Sequence, residues 1–157
     1  MQEHWLKEKS DYKVIENICK AIINQDDELL SNTMNKLLKK EVSYFSSSEE
    51  YYKGMFAIAL TAMPKEYIYK SEVETGYGRD DYEIYKEDKS IGMIFEFKAC
   101  KKERDIEKSL EEGMEQIYDN EYYTQMEEKG VKEIWLYSIA FCKKKMLIKK
   151  ELYVPKE

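Results

Sequence analysis

One strand-like run, from Ile91 to Lys98, constrains this chain more than any other feature. It reads Ile-Gly-Met-Ile-Phe-Glu-Phe-Lys and is apolar on both faces until Glu96. A run of this kind is typical of a central strand that is covered on both sides of its sheet. Since successive side chains of a strand point to opposite faces, Glu96 and Lys98 share one face. Two charges in an apolar strand are costly unless a function uses them, so this strand is predicted to carry a functional site.

The hydrophobic pattern around this run predicts an α/β (α+β) fold. Apolar residues at helical spacing predict helices over residues 11–24 and 27–40, a third from near Ser47 to before Pro64, and a long helix from Ile106 that ends at Gly130. Extended patterns predict strands over residues 67–74, 81–85, 91–97, 134–141 and 145–153. The order predicts a mixed sheet flanked by helices, with a helical pair before it and the long helix as a crossover. The Lys-rich last strand is expected at a sheet edge.

The length and composition predict one folded domain. A chain of 157 residues fits a single domain, in which we expect the helical pair within residues 1–45 and the core within residues 46–157. No apolar run approaches the roughly 20 residues that a membrane-spanning helix needs, and the first residues lack a secretory apolar core. We therefore expect a cytoplasmic protein with no membrane partner.

Cysteine and histidine usage limits the kinds of site that the chain can build. Cys19, Cys100 and Cys142 are far apart and form no Cys-x-x-Cys pair, which disfavours structural zinc and a disulfide framework. His4 is the only histidine, so neither a His-based metal site nor a Ser-His-Asp triad is expected. A metal site in this chain would be built from carboxylates.

The charge distribution points in two directions. The net charge of −6, taken over the whole protein, disfavours nucleic acid as a partner because the nucleic-acid backbone is also negative. Basic residues nevertheless cluster in the C-terminal third, at Lys101, Lys102, Arg104, Lys143, Lys144, Lys145, Lys149 and Lys150. Such a cluster can form a local nucleic-acid footprint on an acidic protein. Lysines that only solvate the ends of helices and strands are the alternative, and the sequence leaves both open.

Asp81 and Glu96 form a candidate metal site. They fall on two adjacent strands of a predicted hairpin, whose turn is at Asp88-Lys89. Magnesium takes oxygen ligands and keeps several waters, so two carboxylates and a backbone carbonyl are a sufficient protein contribution. Lys98 would lie beside such an ion, where it could orient or help deprotonate a bound water or offset charge on a phosphate. This combination predicts phosphodiester hydrolysis, with Asp80 as an alternative to Asp81.

This ordered set resembles the PD-(D/E)xK nuclease superfamily. More narrowly, it resembles the nuclease-like domain at the C-terminus of bacterial proteins that carry an N-terminal AAA-ATPase-like domain. The likeness spans roughly residues 11–153. Its motifs are found here at Glu49–Gly54, Ser71–Asp81, Ile94–Lys98, Gln116-Ile117 followed by Tyr122, and Ile139–Lys143. The second motif ends in the sequence Gly-Tyr-Gly-Arg-Asp-Asp. Two positions depart from the family pattern, since Lys53 stands in place of His and Glu72 in place of Asn.

The resemblance implies a restriction-endonuclease-like fold and a Mg²⁺- or Mn²⁺-dependent nuclease, with DNA favoured over RNA as substrate. It implies metal ligation by Asp81, Glu96, Glu49 and the carbonyl of Phe97. The catalytic set that it implies is Asp81, Glu96, Lys98, Glu49 and Gln116, in which Lys98 acts on the water and Glu49 and Gln116 support the site. An ATPase domain or protein is a further partner that the resemblance implies.

Simpler interpretations remain open for several of these residues. Glu49 lies three residues after Ser46, which is the spacing of a capping box. Glu96 and Lys98 could be a charge pair on a solvated sheet face. A catalytically silent module of the same fold, which binds a partner or nucleic acid beside an ATPase, is the alternative function. An enzyme that uses the carboxylates for acid–base work on a non-nucleotide substrate is a third.

Overall fold

A computed structural model describes residues 2–41, 48–71, 74–75, 78–79, 81–143 and 145–153. Side chains are described over residues 12–37, 53–71, 81–143 and 145–153. The chain divides into two compact units, residues 1–63 and residues 64–157. The expectation of one domain over residues 1–157 stays a prediction.

The first unit is helical. It contains α1 (Gln2–Asn24), α2 (Asp27–Glu41) and α3 (Ser48–Thr61), and α1 packs against both other helices. The helix α1 ends where Gln25 adopts a positive φ of 53° and the amide of Asp26 bonds to the carbonyl of Ala21 at 2.8 Å, which is a Schellman-type stop. Asp26 then caps α2 by accepting from the amide of Leu29 at 3.0 Å.

The predicted helical pair is confirmed, although α1 begins at Gln2 rather than near residue 11. Its first half is rich in Gln, Glu and Lys, which favour helix without giving an apolar period. A periodicity argument therefore places the start of α1 too late. The buried side chains of this unit include Ile18, Ile22, Leu30, Met34 and Phe56.

The second unit is built on a five-stranded mixed sheet. Its strands are β1 (Tyr67–Ser71), β4 (Tyr82–Lys86), β5 (Ile91–Ala99), β6 (Glu133–Cys142) and β7 (Lys145–Tyr153), in the order β1-β4-β5-β6-β7. The pair β5 and β6 is parallel and the other pairs are antiparallel. Two short strands, β2 (Glu74–Thr75) and β3 (Gly78–Arg79), form a separate antiparallel ladder. The predicted α/β fold is confirmed, with β5 in the centre and β7 at an edge, consistent with a restriction-endonuclease-like arrangement.

The crossover between β5 and β6 contains two helices where the sequence predicts one. A short 3-10 turn (Glu103–Asp105) leads into α4 (Ile106–Asp119), and α5 (Thr124–Glu128) follows. The break lies at Glu121, whose φ is 50°, and the amide of Tyr122 bonds back to the carbonyl of Ile117 at 3.2 Å. Tyr122 and Met126 both remain buried across the break. Since the apolar spacing continues, periodicity could not detect the interruption.

The two faces of the sheet differ in composition. One face packs against α4 and α5 through a cluster that includes Ile94, Met114, Ile117, Tyr122 and Leu136. The opposite face carries aromatic rings, with Phe95 stacked on Tyr137 at 4.7 Å and Phe97 stacked on Phe141 at 5.7 Å between ring centroids. Residues 94, 96 and 98 therefore face α4, as the strand alternation predicts. Within the described part of the chain, no helix has the length and hydropathy to cross a membrane.

Candidate active site

Asp81 lies where the pairing of β4 and β5 stops. The last residues paired at this end are Tyr82 with Phe95 and Glu83 with Ile94. Continuing that register by one residue would place Asp81 opposite Glu96. The half-buried Asp81 accepts, through Oδ2, a hydrogen bond of 2.8 Å from the backbone amide of Phe97. Its carboxylate is therefore held against the peptide group that joins Glu96 to Phe97.

The backbone of Phe97 presents a second oxygen to the same side. In a strand, the N–H and C=O of one residue are directed at the same neighbouring strand. Because the N–H of Phe97 points to Asp81, its carbonyl also faces the side of Asp81. The ring of Phe97 lies on the opposite face, where it is 2% exposed. Only the carbonyl of this residue is placed to contribute to a site.

Glu96 and Lys98 lie together on the α4 face of β5. Glu96 is only 4% exposed, and Lys98 Nζ lies 3.8 Å from its Oε1. A buried carboxylate is costly unless a positive charge or hydrogen bonds compensate it, and the ammonium group of Lys98 supplies such a charge. The two residues are therefore not a solvated surface pair, because the Glu96 side chain is 6% exposed.

A chain of hydrogen bonds holds Lys98 from the other side. Its ammonium donates to Oε1 of Gln116 on α4, and Nε2 of Gln116 donates to the hydroxyl of Tyr122 at 2.9 Å. Nδ2 of Asn120 donates to the same hydroxyl at 3.2 Å. Tyr122 is fully buried in the core under α4. The position of the Lys98 ammonium is thus fixed by the packing of α4 and of the turn that follows it.

The helix α4 reaches the sheet closely because residue 113 has no side chain. A Cβ at Gly113 would overlap Oγ of Ser138 and lie 3.3 Å from Cγ of Lys98. Ser138 is fully buried and donates a hydrogen bond of 2.8 Å to the carbonyl of Leu110. Sequence reasoning did not single out Gly113 or Ser138, and a lone Gly or Ser within an element gives little signal by itself.

Glu83 is a further acid that sequence reasoning missed. It is 4% exposed and pairs with Ile94, so it shares the α4 face of the sheet with Glu96. Glu83 follows Asp81 by two residues on the predicted strand, so the alternation of side chains could have identified it. Asp81 and Glu83, at the start of β4, and Glu96 on β5 thus lie near the same end of this strand pair.

Several residues of the sequence motifs cannot be placed around this site. The backbone of Glu49 is in α3 of the first unit, and its side chain lies outside the described residues. The side chain of Lys53 is half-buried. Outside the description lie Glu72, Gly76, Tyr77 and Asp80, together with the side chain of Arg79. The ladder of β2 and β3 pairs Thr75 with Gly78 and so brackets the two residues between them.

The oxygen donors at this end of β5 are of the kind that a hard divalent cation takes. They are the carboxylates of Asp81 and Glu96 and the carbonyl of Phe97, all of them oxygen atoms. In the part of the chain with described side chains, no three His, Cys, Asp or Glu residues are grouped as a metal site. Magnesium keeps several of its waters and needs only one or two protein carboxylates, so this donor set fits Mg²⁺ or Mn²⁺.

Exposed basic residues lie at the same end of the sheet as Lys98. Because Ala99 pairs with Phe141 in the parallel register, the segments that follow β5 and β6 leave the sheet side by side. The exposed basic residues of these segments are Lys101, Lys102, Arg104, Lys143 and Lys145. Farther along β7, Lys149 contacts Glu111 at 2.8 Å and is partly neutralised there.

Comparison with known proteins yields one family. A family model described as the PD-(D/E)XK nuclease superfamily matches residues 47–151, which is more than half of the 157-residue chain. The match includes α3, the strands β1 to β6, the helices α4 and α5, and β7 as far as Glu151. No curated protein matches the chain.

Proposed function

The chain belongs to the PD-(D/E)XK nuclease superfamily, and on this premise we propose that it is a metal-dependent nuclease that hydrolyses phosphodiester bonds of DNA. The observation that carries the proposal is the arrangement at the end of β5. The carboxylate of Asp81 is bound to the peptide next to Glu96, and Lys98 lies 3.8 Å from Glu96. The contact of Asp81 with the peptide next to Glu96, and the ammonium group beside Glu96, support the proposal.

Each residue has a distinct role in this proposal. Asp81, Glu96 and the carbonyl of Phe97 hold Mg²⁺ or Mn²⁺, which when bound acts as a Lewis acid and lowers the pKa of a bound water. Lys98 orients that water or offsets negative charge on the phosphate. Gln116 holds the ammonium group of Lys98 in place. Glu49 is proposed as a supporting residue and a further ligand on the basis of the family motif alone.

Three finer parts of the proposal concern substrate and setting. The basic residues beyond β5 and β6 support a polyanionic substrate, because phosphate contacts by Lys and Arg dominate the affinity of nucleic-acid binding. DNA is proposed over RNA on the family resemblance. A neighbouring ATPase domain or protein is proposed on the same resemblance, and a cytoplasmic location stays the expectation from the sequence.

The decisive experiment compares two lysines in matched settings. Lys98 and Lys149 both bond to side chains of α4, and their side chains are 30% and 32% exposed. Supercoiled plasmid and single-stranded DNA are incubated with each variant and added Mg²⁺ or Mn²⁺. We expect Lys98→Ala to lower the cleavage rate by about 100-fold or more, the usual effect of removing an electrostatic stabiliser of the transition state, and Lys149→Ala to leave it nearly unchanged. If wild type and Lys98→Ala share one background rate, catalysis by this site is refuted.

Metal titration separates the nuclease from a silent binding module. Calorimetry with Mn²⁺ is expected to show one saturable event for the wild type, and the Asp81→Asn, Glu96→Gln double variant is expected to lose it. A protein that only docks a partner has no reason to bind the ion at these two carboxylates. DNA binding without metal binding or cleavage would favour the silent module.

A further inference from the structure

Two cysteines lie opposite each other where β5 and β6 end. The parallel register pairs Ala99 with Phe141, and the next residues in line are Cys100 and Cys142. The backbone amide of Cys100 donates to the carbonyl of Phe141 at 2.8 Å, so the strands are still adjacent at this point. The sequence positions, 42 residues apart, give no sign of this proximity.

The local geometry is suited to a disulfide. Adjacent strands are about 4.7 to 4.9 Å apart, within the range of about 4.4 to 6.8 Å between Cα atoms that a disulfide spans. Residues directly opposite on neighbouring strands share a face, and Cys100 packs against the small cluster of Ile106, Leu110, Ala140 and Cys142. The thiol of Cys100 donates to the carbonyl of Lys102 at 3.5 Å, and it is near enough to Cys142 to raise the pKa of that thiol. Both cysteines are free in the structure.

We propose that Cys100 and Cys142 are a redox-modification site that forms a reversible intramolecular disulfide when a low-molecular-weight disulfide such as oxidised glutathione is present. Cys100 is half-buried and Cys142 is fully buried, so the sulfur of Cys100 is the accessible nucleophile. Its thiolate attacks one sulfur of glutathione disulfide, forms a mixed disulfide and releases one glutathione thiolate, which takes up a proton.

The second step closes the pair. The thiolate of Cys142 attacks the Cys100 sulfur of the mixed disulfide, and the second glutathione leaves as a thiol after taking up a proton. Overall, two protein thiols and one glutathione disulfide become one protein disulfide and two glutathione thiols. A dithiol reductant reverses the sequence.

The surroundings of Cys142 set the pH dependence of closure. Burial, and then the neighbouring thiol of Cys100, raise the pKa of the Cys142 thiol to about 11. Glu103 also contributes to this raised value, and Lys143 opposes it. Burial acts on Cys142 in the mixed disulfide as well, and since the thiolate is the attacking species, the rate of the second step is expected to rise with pH in the alkaline range.

The disulfide would also act on the proposed nuclease site. Cys100 follows Lys98 by two residues, and a disulfide brings the two Cβ atoms to about 3.8 Å, closer than paired strands hold them. We expect closure to draw the end of β5 toward β6 and so to strain the hydrogen bond between Lys98 and Gln116. This consequence rests on the proposed function, whereas formation of the disulfide does not.

The test follows thiols and mass first, and cleavage second. The full-length protein is incubated with oxidised glutathione, and free thiols are counted after denaturation. The count is expected to fall from three to one, the mass to drop by two hydrogens, and a digest to yield a peptide linking Cys100 to Cys142. The Cys19→Ser variant is the control and is expected to form the same disulfide, because Cys19 lies in the first unit, where its thiol donates to Ala59.

Further variants and outcomes decide the proposal. Cys142→Ser is expected to stop at a glutathione adduct on Cys100, and Cys100→Ser to leave Cys142 unmodified in the folded protein. A wild-type protein that stops at the glutathione adduct, or that forms only intermolecular dimers, would overturn the proposal. If the disulfide forms but cleavage is unchanged, the regulatory consequence is wrong; if no form of the protein cleaves DNA, the proposed function fails and the disulfide stands.

Discussion

The substitution Gly113→Ala tests how closely α4 approaches the sheet. A Cβ at this position would overlap Oγ of Ser138 and lie 3.3 Å from both Cβ of Ser138 and Cγ of Lys98. Ser138 is fully buried and cannot move into solvent. Either the hydroxyl rotates away from the carbonyl of Leu110 and gives up its hydrogen bond of 2.8 Å, or α4 moves away from β6.

The expected magnitude follows from three terms. Overpacking of a tight core site costs about 1 to 3 kcal/mol. Losing the hydrogen bond of a buried hydroxyl costs about 1 kcal/mol. Replacing a helical Gly by Ala stabilises the helix by about 1 kcal/mol. The net expectation is a loss of about 1 to 3 kcal/mol in the free energy of unfolding.

The chain supplies a matched control for this substitution. Gly54 lies inside α3, and no described atom comes within 4 Å of the position of its Cβ. The change Gly54→Ala should therefore show the helix term alone, a gain of about 1 kcal/mol. Urea denaturation followed by far-UV circular dichroism measures both variants. Gly113→Ala combined with Ser138→Ala, which removes the overlapping hydroxyl, is expected to recover part of the loss. Equal stabilisation by both Gly substitutions would refute the close approach of α4.

Three further predictions follow from other contacts. Glu121 has a φ of 50°, which Gly adopts more readily than Glu, so Glu121→Gly is expected to raise the free energy of unfolding by about 0.5 to 1 kcal/mol. The control Glu115→Gly, inside α4, should lower it by a similar amount in the same urea denaturation assay. Burial, and then a hydrogen bond to Glu127, raise the pKa of Tyr153 to about 12 from an ordinary value of 10.0. The contribution of this group to stability is therefore complete below about pH 10 and is lost as the pH rises through about 12. Across that range, the denaturation midpoint of Tyr153→Phe should fall less steeply with pH than that of the wild type. Gln116→Leu removes the acceptor of the Lys98 ammonium and the donor to Tyr122, and we expect the kcat of DNA cleavage to fall about tenfold with KM little changed, which steady-state kinetics would measure. A KM effect alone would contradict the positioning role of Gln116.

The sequence predicts the fold well where a pattern reports burial directly. The two-sided apolar run of β5 identifies the central strand, and the Lys-rich run of β7 identifies an edge. It fails where a local conformation interrupts a continuing pattern. Glu121 adopts a conformation that is usually occupied by Gly, so the residue type at that position does not predict the end of α4. The start of α1 is missed for the opposite reason, because a polar helix has no apolar period.

Parts of the candidate site could likewise be predicted from the sequence, and other parts could not. Alternation along β5 places Glu96 and Lys98 on one face, and the structure has them there. The contact between Asp81 and the amide of Phe97 depends on β4 beginning one residue later, which a pattern cannot resolve to a single position. Gln116 and Tyr122 come together through the turn after α4, so their hydrogen bond could not be derived from spacing alone. The metal roles of Asp81, Glu96 and Glu49 stay predictions.

Asp81 serves the architecture as well as the proposed chemistry. Asp81 lies just before the first residue of β4, and its side chain accepts the hydrogen bond from the amide of Phe97 that a backbone carbonyl of β4 would otherwise accept. Truncation to Ala would remove the proposed metal ligand and also leave a main-chain donor without this acceptor, so loss of the proposed activity in that variant would have two causes. Asn retains an oxygen acceptor, which makes it the cleaner substitution at this position. A homologous protein without the proposed activity should therefore still keep a hydrogen-bond acceptor at position 81, even where the acid itself is not needed.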